Sequence, residues 1–136
     1  MTNAVFSAEQ YSFVSVTMRS FLFANRRDGS PTGWPMTPLW RDDGHVYVNT
    51  YRSSVKARVL LRDARVALLV VQGTRALTIT GDARLVDPAE AAPIFPAMVR
   101  TDGFVSAEQG ARTVQRLIDG KRCLFRIEAR SARWTR

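Results

Sequence analysis

Asn49-Thr50-Tyr51-Arg52-Ser53-Ser54-Val55-Lys56-Ala57-Arg58 is the stretch that decides how this chain reads. Val46, Val48 and Thr50 alternate with Tyr47 and Asn49 in the period of two of a strand, whereas Val55 to Arg62 has the spacing of a helix. Between them stand Ser53 and Ser54, either of which is a natural N-cap. A strand that ends in Asn49 and Thr50 and runs through serines into a helix places unpaired backbone N–H groups, hydroxyls and a partial positive charge at one corner. An anion placed there gains hydrogen bonds and charge, and Lys56 and Arg58 add to it. The same residues also describe an ordinary capped helix with a solvated basic face.

Outward from this corner, the rest of the chain reads mainly as strands. Ser7 and Gln10 form a capping box ahead of Tyr11, Val14 and Met18, which opens the chain with a helix of about three turns. Phe21-Leu22-Phe23-Ala24 is a short apolar run, and Arg27-Asp28-Gly29-Ser30-Pro31 carries hairpin signals. Gly33 to Trp40 follows as one strand, which Pro35 and Pro38 assign to an irregular edge. Asp42-Asp43-Gly44 turns into His45–Thr50; further strands run from Arg65 to Val71, from Arg75 to Val86 and from Lys121 to Ala129. Gly81 marks a bulge or close approach in the long strand. Asp87-Pro88 begins a helix, and Ser106 with Gln109 forms a second capping box for a helix ending near Gly120. Six strands at hairpin spacing with a few short helices predict a mainly β, six-stranded antiparallel barrel.

Composition bounds the function. A chain of 136 residues with 46% hydrophobic and 24% charged residues fits one globular domain spanning residues 1–136. No apolar run approaches the length of a membrane span, and Met1-Thr2-Asn3-Ala4 lacks the basic-then-apolar pattern of a secretory signal, so a cytoplasmic location without membrane contact is expected. The single cysteine, Cys123, lies in a strand and reads as a small buried hydrophobe. A formal charge of +8 favours an anionic partner. The cations are nearly all arginines scattered along the sequence, without the concentrated stripe or aromatic signature of a nucleic-acid reader, which leaves a basic nucleic-acid-binding domain as the weakest of the readings. His45 has no serine or cysteine motif around it, and no paired ligands suggest zinc, so neither hydrolysis nor a metal site is indicated. Trp134 lies in a basic tail that reads as a frayed terminus.

Taken together, these pieces resemble the split β-barrel flavin and deazaflavin oxidoreductases related to pyridoxamine 5′-phosphate oxidase. Asp28-Gly29-Ser30-Pro31 followed by Pro38-Leu39-Trp40 looks like the family's first hairpin. Tyr47 to Thr50, Ser54 to Arg58 and Arg62 to Ala67 look like its phosphate-binding strand, helix and following strand, and Thr80 to Leu85 like its long strand.

The resemblance implies a homodimer with the cofactor at the interface. In it, Thr50, Ser54 and Lys56, with Asn49 and Ser53 beside them, hold the cofactor phosphate, and Arg58 stands as a second cation. Met36, Thr37, Pro38 and Leu39 lie along the ring. It further implies hydride transfer between coenzyme F420, or alternatively FMN, and a small conjugated organic substrate, the chemistry residing in the cofactor. A member that only binds or sequesters the cofactor is the other possibility. Val55 stands where the oxidases carry an arginine before the phosphate lysine, and the sequence stops soon after Ile127, which argues against vitamin B6 oxidation.

Overall fold

The computed structural model describes residues 5–17, 19–41, 44–98 and 107–135. Its elements are α1 (Ala8–Val16), β1 (Ser20–Asn25), β2 (Pro31–Met36), β3 (Leu39–Trp40), β4 (Val46–Tyr51), α2 (Val55–Arg62), β5 (Arg65–Gln72), β6 (Arg75–Leu85), α3 (Pro88–Met98), α4 (Ala107–Ile118) and β7 (Arg122–Thr135). The strands form one antiparallel sheet in the order β2-β1-β5-β6-β7-β4-β3.

This order dictates the shape. β2 and β3 are the two edges of the sheet, yet only Thr37 and Pro38 separate them in the chain. Laid flat, seven strands at about 4.8 Å spacing would put those edges about 29 Å apart. Three peptide steps from Met36 to Leu39 reach at most about 11 Å. The sheet therefore curls until its edges approach, and Met36-Thr37-Pro38-Leu39 crosses the seam.

The expected count of six strands is thereby corrected to seven. Pro38 cannot donate to a ladder and keeps Thr37 out of the helical region, so the chain leaves one edge at Met36 and joins the opposite edge at Leu39. The edge position expected from the prolines holds for both pieces.

Alternation sorts the side chains. Leu22, Val48, Leu68, Val70, Leu77, Ile79 and Phe125 point inward and form the main core, which Phe6, Phe13 and Val14 of the α1 segment close at one end. Tyr47 and Leu124 face outward from β4 and β7 and are covered by Ala91 and Phe95 of α3 and Leu117 of α4. Both ring faces of the sheet are thus occupied near β4: barrel core inside, helix pair outside.

Local signals hold where they can be checked. In the α1 capping box the Gln10 N–H donates to Ser7 Oγ at 3.1 Å and the Ser7 N–H donates to Gln10 Oε1 at 2.8 Å. Gly81 sits at a register shift between β6 and β7, where a Cβ would collide with the Glu128 carbonyl oxygen. Gly120, at φ +75°, ends α4, and the Lys121 N–H returns to the Arg116 carbonyl at 2.9 Å. Ser106, expected to cap α4, lies outside the described residues, as do Asp42 and Asp43.

The C-terminal segment departs from expectation. β7 continues to Thr135, paired with β6 throughout, and Trp134 is anchored rather than frayed. Its ring meets Phe13 edge-on at 5.1 Å, and the Arg75 guanidinium lies 4.5 Å from its centroid while also reaching Glu9 at 3.0 Å. Cys123 is buried as expected, and burial pushes its thiol pKa up. No helix among the described residues is long and apolar enough to cross a membrane.

Candidate functional site

Of the two candidate caps, Ser54 is the one used. Its Oγ accepts from the Ala57 N–H at 3.1 Å and lies 3.2 Å from Thr50 Oγ1, so the end of β4 and the start of α2 are tied through two hydroxyls. The first turn of α2 contains no acidic residue, and among the described residues Lys56 has no ion-pair partner. The helix N-terminus therefore keeps its positive character, with no carboxylate from the described residues to fill it.

This corner opens into a cleft of about 390 Å³. One wall is the seam: Pro35, Met36, Thr37 and Leu39. The Met36 carbonyl is held by the Ser20 hydroxyl at 2.6 Å, which orients the chain as it leaves β2. The floor is the end of β4, Asn49, Thr50 and Tyr51, with Lys56 from α2. The far wall is Phe95 of α3, Thr113 of α4 and Arg122 at the start of β7.

Six of the residues singled out from the sequence thus meet: Met36, Thr37, Leu39, Asn49, Thr50 and Lys56. Ser54 stands directly behind Thr50. Pro38 is buried and does not line the cleft, while Ser53 and Arg58 are exposed outside it. Trp34 packs on the core, and Trp40 meets the Tyr11 ring at 4.6 Å, so neither faces the cleft.

Phe95, Thr113 and Arg122 were not visible as site residues because they arrive from distant elements. For Arg122 a signal existed: it follows the glycine-terminated helix and opens the strand that pairs with β4, opposite Tyr51.

The arginine also shapes the electrostatics. Its guanidinium carbon lies 3.9 Å from the Tyr51 ring centroid. Its closeness to the hydroxyl, then its charge and that of Arg116, hold the Tyr51 phenol below its ordinary pKa. Asn49 Oδ1 and Arg122 Nε are buried atoms without a hydrogen-bond partner. Both residues line the cleft, and each keeps an unmatched polar atom just behind its wall, an acceptor oxygen in one and an N–H in the other.

The family model described as pyridoxamine 5′-phosphate oxidase matches residues 14–134. The chain belongs to the pyridoxamine 5′-phosphate oxidase family. Within it, the curled seven-stranded sheet is an instance of the flavin-binding split barrel. Among solved structures, the conserved hypothetical protein Rv2991 from Mycobacterium tuberculosis is 28% identical, with 98% of this chain and 88% of that one covered and a TM-score of 0.77. An F420 reductase is 20% identical over 90% of this chain and 94% of its own, with a TM-score of 0.65. A pyridoxamine 5′-phosphate oxidase-like protein from Listeria innocua is 16% identical over 90% and 92%, with a TM-score of 0.60. The last two share the fold at identities too low to transfer more. No curated protein matches the sequence.

Proposed function

We propose that this chain is an oxidoreductase that seats the phosphate of coenzyme F420, or alternatively FMN, at the start of α2 and lays the ring against the Met36–Leu39 seam. The observation that carries the reading is the juxtaposition in one cleft of Thr50 and Lys56, unpaired among the described residues, at a helix N-terminus with a backbone wall from the barrel seam. The donor set fits a phosphate: a hydroxyl, an ammonium and first-turn N–H groups, with no acidic residue in that first turn. The net charge of +8 favours the deazaflavin, whose oligoglutamate tail adds negative charge.

When bound, the cofactor supplies the hydride chemistry; the chain's own groups bind, orient and exclude water. The substrate is a small conjugated organic molecule. A second copy completes the site: Phe21, Phe23, Ala67, Leu69 and Val71 alternate with the core residues of β1 and β5, leaving an apolar outer sheet face of which Phe23 is 40% exposed.

Titration of the purified protein with coenzyme F420 and with FMN, followed by fluorescence, tests this reading. Micromolar or tighter binding of one of them is expected, weakened by about 1.5–3 kcal/mol in Lys56→Ala, the range for hydrogen bonds to a charged group. Binding of neither, or an unchanged Kd in the variant, would remove the assignment. One feature favours a second reading, a cofactor-holding protein without turnover: no carboxylate, histidine or cysteine lines the cleft among the described residues. Tight binding with no cofactor-dependent reduction across enones and quinones would support it.

A further inference from the structure

The cleft has a second cationic end. Along β4, Thr50 points to the barrel interior, with Ser54 and the start of α2, whereas Asn49 and Tyr51 point to the outer face beneath α3 and α4. Arg122 lies opposite Tyr51 in the antiparallel register and shares that outer face. Lys56 and Arg122 therefore border the same cavity from opposite faces of one strand.

Arg122 has no carboxylate partner among the described residues, and neither has Arg116, in the last turn of α4. Contact with the Tyr51 ring, 3.9 Å from the guanidinium carbon to the centroid, holds the group in place, and Nε is shielded from solvent without a partner. A flat, oriented guanidinium with an unmatched donor is the geometry that accepts a carboxylate edge-on, and the Thr113 hydroxyl borders the same space. Phe95 and the Tyr51 ring supply apolar surface beside it.

We propose that the Tyr51–Arg122 end of the cleft is a substrate subsite that takes a carboxylate, so that the substrate is a planar conjugated acid rather than a neutral compound. This rests on the cofactor being held at the Lys56 end. The cation at each end then divides the work: Lys56 faces the cofactor phosphate, and Arg122 orients the acid so that its conjugated part extends over the seam. Arg122 is a binding and positioning residue; nothing in its role requires it to exchange a proton.

The experiment uses 1-naphthoate and methyl 1-naphthoate as probes, titrated calorimetrically into the full-length protein with and without coenzyme F420 or FMN. The acid is expected to bind about tenfold or more tightly than the ester, the scale of one charge-assisted hydrogen bond. Arg122→Gln should erase that preference and leave cofactor affinity within about twofold, while Arg122→Lys, which keeps the charge without the planar fork, should retain part of it. Lys56→Ala should do the reverse, weakening the cofactor and sparing the acid-over-ester preference of the cofactor-free protein. Equal binding of acid and ester by the wild type would overturn the proposal. So would an Arg122→Gln protein, folded by its circular dichroism melt, that loses cofactor as severely as Lys56→Ala, because the arginine would then belong to the cofactor's own anion. If the wild type binds neither cofactor but still prefers the acid, the function proposed above fails and the carboxylate subsite stands.

Discussion

Ser54 serves the fold and the candidate site with one oxygen, and substituting it separates the two. Its Oγ caps α2 through the Ala57 N–H and contacts the Thr50 hydroxyl. Ser54→Ala removes the cap, a loss of about 1 kcal/mol, which for a domain of this size lowers Tm by about 3–5 °C. Ser54→Asp keeps the cap, since aspartate ranks with serine there and its charge suits the helix dipole. Tm should then stay within about 2 °C of wild type. The same carboxylate, however, stands beside Thr50 where the phosphate is proposed to dock. At about 6 Å and an effective dielectric of about 20, two unit charges repel by about 2.8 kcal/mol. Solvent at the half-buried cap reduces this and the second phosphate charge restores part of it, leaving about 1.5–3 kcal/mol, or ten- to more than a hundredfold in Kd. Thermal melts and fluorescence titrations of the three proteins read both effects. A Ser54→Asp protein of native Tm that binds coenzyme F420 or FMN like wild type would refute the anion seat, whatever Lys56→Ala does.

Other consequences are quickly checked. Gly81→Ala drives a methyl into the Glu128 carbonyl at the β6–β7 bulge, where both partners are backbone, and should destabilise by about 2 kcal/mol or more in urea unfolding. Arg75→Ala removes the cation held between Phe13, Trp134 and Glu9; a loss of about 1–2 kcal/mol with a change in tryptophan emission is expected. The Arg65 guanidinium, donating to Asp63 at 3.0 and 2.7 Å, lowers that carboxyl from 3.8 to about 2. A depressed carboxyl stabilises above its unfolded pKa and loses that contribution as pH falls through the folded value. The wild-type Tm should therefore drop slightly more between about pH 4 and pH 2 than that of Asp63→Asn, and parallel curves would argue against the pair.

Legibility from sequence followed the range of the interaction. Ser7, Asp87 and the β4–α2 junction are governed by neighbours within a few residues, and their caps and turn were readable directly. Pro35 and Pro38 announced edge strands, but nothing local distinguishes one irregular edge from two opposite edges; that depends on how far the whole sheet curls. Trp134 was misjudged because its stability comes from Arg75 and Phe13, far away in sequence. The site divides likewise. Its Lys56 corner is a contiguous motif, whereas Phe95, Thr113 and Arg122 reach the cleft only after α3, α4 and β7 dock on the outer face of β4.

The two-residue link over the seam has a mechanical consequence. Thr37 and Pro38 are the only covalent tie between the outermost staves of this barrel, and the same four-residue span forms a wall of the cleft. A molecule gripping Met36 to Leu39 acts as a hoop. Its arrival should slow amide exchange along Phe21–Ala24, on the strand that Met36 and Pro35 pair with, although those amides never touch it.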